Sequence, residues 1–205
     1  MTDHADSDAR NSSVRVALVR HGETDWNIDG RLQGSSDIPL NDIGRQQARD
    51  AGSVLAADEW DTLVSSPLSR AAETADIIGD IVGLPRSADH DDLAERHFGR
   101  AEGMTGYDAW AYWPDGRYPG AESSHDLAVR GRRGLDRIVD THSGESVIAV
   151  AHGGIIRAIL HTVTGHPAPR IANAGISVLV GQRSGSDVDW TVETINSIPV
   201  RRRRR

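Results

Sequence analysis

Apolar residues in this chain follow two rhythms: short unbroken runs, and longer stretches where they recur every three or four positions. An unbroken run predicts a strand buried on both faces, and the wider spacing predicts a helix with one apolar side. Val14 to Val19 is the first such strand. Leu40 to Leu55 then reads as an amphipathic helix begun near Asn41, whose side chain suits the open N–H groups of a first turn. Asp61 to Ser65 predicts a second strand. Leu68 to Val82 predicts a second helix, with Pro67 at its start, where no backbone N–H is needed. Residues 84–123 carry no long periodicity. His125 to Asp140 resumes helical spacing through Leu127, Leu135 and Ile138, despite the weakening glycines Gly131 and Gly134. Ser146 to Ala151 is a third strand, Gly154 to Val163 a further helix, and Gly175 to Val180 and Trp190 to Ile195 are two closing strands.

Strands alternating with helices predict an α/β fold, with a parallel or mixed sheet covered on both faces. No internal repeat is evident, and the length of 205 residues suits one domain, placed at residues 14–198. A disordered segment (1–13) is expected before it and a basic tail (199–205) after it. In such sheets a ligand site lies outside the carboxyl ends of the strands. Three strands here end on reactive residue types: Arg20-His21-Gly22, Ser65-Ser66 with Arg70 shortly after, and His152-Gly153-Gly154.

Composition narrows the chemistry. Cysteine is absent, which removes disulfides, thiolate metal sites and a cysteine nucleophile. Lysine is absent too, so neither a Schiff base nor a phosphate-loop lysine is available. The formal charge is −7, but Arg201 to Arg205 hold five of the 23 basic residues, so residues 1–200 carry 18 arginines against 30 carboxylates, or −12. A body of that sign repels nucleic acid except where arginines cluster, so anion binding is expected to be local. The arginine tail, which could attract polyanions, is expected to be a mobile end with little function. No run of 18 apolar residues is present, and the polar, acidic start lacks the pattern of a signal peptide, so a soluble, cytoplasmic protein with no membrane partner is expected.

Two arginines and a second histidine around His21 repel one another unless an anion sits among them, and a phosphoryl group fits that demand. With no cysteine and no phosphate loop, an imidazole nitrogen is the nucleophile left for phosphoryl transfer, and His21 is better placed than His152, which then serves as a donor. An alcohol leaving group needs a proton, and Glu95 and Glu102, flanking Phe98, are the candidate acids. His90, His97, His125, His142, His161 and His166 have no motif around them, and no pair has the spacing of a zinc site, so neither metal nor cofactor is expected. The aromatic stretch Tyr107 to Tyr118 forms either a lid over the pocket or a small helix packed on the sheet.

Five segments, "RHGETDWNIDGRLQGSSDIPLNDIGRQQA", "SSPLSRAAETA", "LAERHFGRAEG", "ESSHDLAVR" and "AHGGIIR", occur in an order that resembles the histidine phosphatase superfamily, of phosphoglycerate mutase-like fold. The resemblance runs from Val14 to about Asn196. It implies a three-layer α/β/α sandwich with a mostly parallel central sheet. It implies further that His21 becomes phosphohistidine, that Arg20, Arg70 and His152 hold the transferred phosphoryl, and that Asn27, Gln33, Gly34 and the backbone of Gly153 assist at the phosphate. Glu95 matches the proton donor, Glu102 a structural glutamate, and Gly22 a residue whose backbone orients His21. Mutases of the superfamily carry a long insertion between the acid and the second histidine. Glu95 and His152 are only 57 positions apart, and "LQG" at Leu32 to Gly34 and Glu102-Gly103 resemble the phosphatase branches. "ERHFG" resembles the mutases, with Phe98 where they usually have tyrosine. A metal-independent histidine acid-type phosphatase acting on a small phosphorylated metabolite, such as a sugar phosphate or phosphoglycerate-type compound, is therefore expected, as a monomer or homodimer. The alternatives are a cofactor-dependent phosphoglycerate mutase and a catalytically quiet phosphate-binding module.

Overall fold

The computed structural model describes residues 13–185 and 187–200. The Arg201–Arg205 tail and all but Ser13 of the expected disordered segment lie outside the described residues.

The strands β1 (Ser13–Arg20), β2 (Thr62–Ser65), β3 (Arg86–Asp89), β4 (Ser146–Ala151), β5 (Ile176–Ser184), β6 (Asp187–Ile195) and β7 (Ile198–Pro199) form one sheet, in the order β3-β2-β4-β1-β5-β6-β7. β3, β2, β4 and β1 pair in parallel, and β5, β6 and β7 add on by antiparallel pairing. The sheet is mixed with a parallel core, as the alternation of strands and helices predicts.

The helices are α1 (Asp25–Ile28), α2 (Asp42–Leu55), α3 (Ser69–Val82), α4 (Gly106–Tyr112), α5 (Ser124–Thr141) and α6 (Gly153–Thr164). Because successive strand residues face opposite ways, each central strand feeds two cores. Val16 and Leu18 of β1, with Val147 and Ala149 of β4, pack with Leu135 and Ile138 of α5 and Ile155 and Ile159 of α6. Ala17, Val19, Ile148 and Val150 pack on the other face with Ala51 and Leu55 of α2 and Ala71, Ala75 and Ile78 of α3. The result is the three-layer sandwich, each fully buried aliphatic side chain contributing about 1.5–3 kcal/mol.

Four elements carry no readable rhythm. β3 is an edge strand whose last three residues are exposed, so no apolar run marks it. α4 buries only Ala109, and α1 is a single turn held by a capping box between Thr24 and Asn27. β5 and β6 run past the expected ends into a mostly exposed, polar hairpin, Gln182 to Ser184 facing Asp187 to Asp189, in which only Val188 is buried. Among the described residues, no helix is long and apolar enough to cross a membrane.

Candidate active site

β1 and β4 are neighbours with Arg20 opposite Ala151, so the residues that follow them come side by side. His21 and His152 have ring centroids 5.1 Å apart. β2 pairs with β4 and leads through Ser66 into α3, which carries Arg70 in its first turn. Arg20, His21, Asn27, Gln33, Gly34, Arg70, Glu95 and Gly153 line one cavity of about 310 Å³, and His152 lies fully buried behind His21.

His21 is fixed on both sides. Its backbone N–H donates to the Ala151 carbonyl, and its Nδ1 lies 2.6 Å from the Gly22 carbonyl. A carbonyl only accepts, so Nδ1 carries the hydrogen and Nε2 keeps its lone pair. The turn behind it is tight. A Cβ on Gly22 would stand 2.2 Å from the Gly44 carbonyl oxygen, so α2 can press against this loop only because both positions lack side chains. Thr74, one turn after Arg70, accepts from the Gly22 N–H.

The buried Ser66 hydroxyl accepts from the Leu68 N–H and lies 2.8 Å from His152 Nε2, a contact either ring tautomer can make because a hydroxyl both donates and accepts. His152 Nδ1 is buried and has no partner among the described residues. Arg20 Nε and Arg70 Nε are likewise buried and unpartnered. Arg20 Nη1 donates to the Ile171 carbonyl at 2.8 Å, and both terminal nitrogens of Arg70 donate, to the carbonyls of Gly34 and Ser36, each at 2.9 Å. Two unused N–H donors and the unpartnered His152 Nδ1 thus lie by the same cavity as His21, where leaving buried polar groups unpaired costs about 1–3 kcal/mol each.

Charge follows burial. Burial, then the Arg20 and Arg70 charges, hold His21 far below the usual histidine value, the Gly22 carbonyl opposing them; burial, Arg70 and His21 do the same to His152. Burial also pushes Arg20 down to about 10, which Glu95 opposes and Arg170 reinforces. Both histidines are therefore neutral in the folded chain at pH values where the unfolded chain protonates them. Their depressed values give stability that is full above pH ~6.5 and declines as pH falls below it. The urea midpoint is expected to drop between pH 7.5 and 5.5, and to drop less in His152→Gln. The partly buried His90 acts in the same direction, and the lowered carboxylates Asp92 and Glu102 titrate below that window. A midpoint flat across it would contradict the buried neutral pair.

Glu95 sits at the N-terminus of α6. One carboxylate oxygen accepts from the Gly154 N–H at 3.0 Å and the other from Ile155 and Arg96. Its two oxygens thus take the open N–H groups of the helix's first turn. The segment before it is tied down by Arg130 of α5, which donates to the carbonyls of Asp92, Ala94 and Glu95 and forms a two-pronged pair with Glu122. "ESSHDLAVR" is thus the clamp that holds Glu95. Glu102 faces away from phosphate chemistry, accepting from Ser35, Ser36 and Phe98. Gly34 stands beside it at φ +55°, where a Cβ would meet the Glu102 carboxylate at 2.2 Å.

The aromatic stretch is neither lid nor sheet packing. Tyr107, Trp110 and Tyr112 of α4 face solvent, and no residue of the stretch lines the cavity; Tyr118 lies tilted beside Phe98, ring centroids 6.3 Å apart. Phe98 also lines the cavity, as do Arg31, Arg157, Arg170 and Ile171, which the sequence did not mark as site residues. Arg157 had a signal, since it lies four positions after Gly153 on one helix face; Arg170 had none. Among the described residues no group of three His, Cys, Asp or Glu side chains is spaced to hold a metal ion.

Comparison with known proteins shows the family and the fold. The family model of the histidine phosphatase superfamily (branch 1) matches residues 16–196. The uncharacterized phosphatase PhoE of Bacillus subtilis is 41% identical over 181 residues, covering 88% of this chain and 93% of that protein. A metal-independent phosphoserine phosphatase of Arabidopsis thaliana is 35% identical over 187 residues, covering 81% of this chain and 76% of the other. The native structure of a mycobacterial glucosyl-3-phosphoglycerate phosphatase superposes with a TM-score of 0.80 at 31% identity, covering 90% of this chain and 99% of that one.

Proposed function

The chain belongs to branch 1 of the histidine phosphatase superfamily and is a phosphoric monoester hydrolase; we propose that it works through a phosphohistidine at His21 on a small phosphorylated metabolite. The observation that carries this reading is the pair of unpaired buried donors Arg20 Nε and Arg70 Nε, with the unpartnered ring nitrogen Nδ1 of His152, beside a histidine whose Nδ1 is taken by the Gly22 carbonyl. In the first step Nε2 attacks phosphorus, the bond from phosphorus to the ester oxygen breaks, and Glu95 gives its proton to the departing alcohol. In the second, water attacks the phosphohistidine, Glu95 takes the water's proton, and phosphate leaves as Nε2 recovers its lone pair. Arg20, Arg70 and His152 meet the charge on the phosphoryl oxygens throughout, and Asn27 and the Gly153 backbone border the same space. The relatives' names, phosphoserine and glucosyl-3-phosphoglycerate phosphatase, support a small metabolite as substrate.

A mutase would pass the phosphoryl back to the bound alcohol, which requires the alcohol to be held after transfer. "ERHFG" favours that reading, but His97 and Arg96 of this motif are turned to the Gly120 and Glu122 carbonyls, away from the cavity. The test measures phosphate release and phosphoglycerate isomerisation in parallel, with 3-phosphoglycerate, a bisphosphoglycerate primer and an aryl phosphate. Release without isomerisation is expected, and primer-dependent isomerisation would establish the mutase instead. Activity is also expected to survive a chelator unchanged; loss that one metal restores would overturn the reaction as written.

A further inference from the structure

We infer that Asn173 is a positioning residue for the reaction: it holds the side-chain amide of Asn27 so that the Asn27 NH2 group donates to the phosphoryl group bound beside His21. The inference rests on the hydrolase reading above, because it gives Asn27 a task only if the cavity holds a phosphoryl group. Asn173 itself does not line that cavity.

Backbone groups of fixed role decide which way the two amides face. The Thr24 N–H only donates, and it lies 3.2 Å from one arm of the Asn27 amide, so that arm is the carbonyl oxygen Oδ1. Asn173 approaches the same oxygen at 2.9 Å and therefore presents its NH2 group. The second contact of that NH2 group, 3.3 Å away, is the main-chain carbonyl of His21, which only accepts. Both hydrogens of Asn173 Nδ2 are thus committed, as are both lone pairs of Asn27 Oδ1. What Asn27 has left is its own NH2 group, which has no partner among the described residues, on a side chain that lines the cavity.

The capping box holds Asn27 loosely by comparison. Its two bonds to Thr24 measure 3.2 and 3.3 Å, on a helix of one turn. Half a revolution about the last side-chain bond would swing Oδ1 into the cavity, where a phosphoryl oxygen would meet an acceptor instead of a donor. Asn173 prevents this from a turn fastened to the nucleophile's own strand. The Ala174 N–H donates to the His21 carbonyl at 3.2 Å, and the Arg20 N–H donates to the Gly175 carbonyl at 3.1 Å. Asn196 Oδ1 secures the start of the turn by accepting from the Ala172 N–H at 3.0 Å. Ala174 stands at φ +54°, a conformation that strains a residue with a Cβ and that is kept only where the surroundings enforce it. One side chain, 146 positions from Asn27 and 152 from His21, thereby registers the amide against the nucleophile.

The test is a double-mutant cycle read as kcat/KM for an aryl phosphate. Asn27→Ala is expected to cost about 30-fold, as the loss of a donor to a charged group, and Asn173→Ala about tenfold. In the Asn27→Ala background Asn173→Ala should cost less than about twofold, because it acts through an amide that is no longer there. Two losses that multiply, or an Asn173→Ala protein close to wild type, would overturn the positioning role. A second readout needs no turnover: the side-chain amide signals of ¹⁵N-labelled protein during titration with inorganic phosphate. The pair absent from Asn27→Ala belongs to Asn27. It should move on saturation in the wild type, and by less than half as far in Asn173→Ala. Equal movement in both would also overturn the role. Failure of the hydrolase reading shows separately, as an absence of aryl phosphate hydrolysis by the wild-type protein.

Discussion

Replacing His21 with alanine is expected to cut hydrolysis of an aryl phosphate by about 10⁴-fold or more, because the variant has no atom to receive the phosphoryl group. Inorganic phosphate should still bind, since Arg20 and Arg70 keep their unpaired donors, His152 keeps its unpartnered Nδ1, and the backbone around position 21 is held by Ala151 and by Ala174, whose N–H donates to the residue 21 carbonyl. Alanine leaves that backbone free to keep its hydrogen bonds, so the loss is chemical rather than structural. The decisive comparison is wild type against variant in alkali-quenched single-turnover experiments with labelled substrate. Label on the wild-type protein that is stable in base and lost in acid, and none on the variant, is the expected result. A variant with normal turnover, or label that persists without His21, would remove the phosphohistidine from the reaction.

The second large effect is expected at Arg70. Its guanidinium is wholly buried and holds the carbonyls of Gly34 and Ser36, while Nε has no partner among the described residues and the side chain lines the cavity. Arg70→Ala leaves two buried acceptors unpaired, a loss of about 2–4 kcal/mol in stability, and removes a donor from the phosphoryl group. Phosphate affinity and turnover should fall together, with kcat/KM down about 10³-fold. Arg70→Lys separates the two roles: an ammonium supplies charge but not a planar fork that reaches two carbonyls and the cavity at once. Its thermal midpoint should recover only in part and its kcat/KM hardly at all. A lysine variant close to wild type in kcat/KM would show that charge alone is what the cavity needs.

The sequence made some of this legible and hid the rest for physical reasons. β1 and β4 are apolar on both faces because the sheet is covered on both sides, so their ends, and the histidines there, stand out along the chain. Arg70 is conspicuous at a helix start, where a cation is unfavourable without an anion. By contrast β3 and the β5–β6 hairpin lie at or beyond the edges of the core, where strand and loop residues look alike. Arg170 was hidden because it reaches the site from a loop, and loops have no period. The Ser66–His152 contact spans 86 positions, so no local pattern announces it. The aromatic cluster at Tyr107 to Tyr118 misled for another reason: aromatic rings suggest burial or a ligand, and here three of them face water on a helix that covers neither.

One further consequence follows from where the cavity's parts are anchored. His21, Arg20 and His152 grow from the ends of two hydrogen-bonded central strands, whereas Phe98, Arg170 and Ile171 stand on connecting loops, and the loop carrying Glu95 is clamped by one ion pair between Glu122 and Arg130. The half that performs the chemistry is therefore rigid and costly to alter, and the half that meets the alcohol can be rewritten by loop changes that leave the sheet untouched. A scaffold divided this way is free to exchange one substrate for another over evolutionary time while the reaction stays the same.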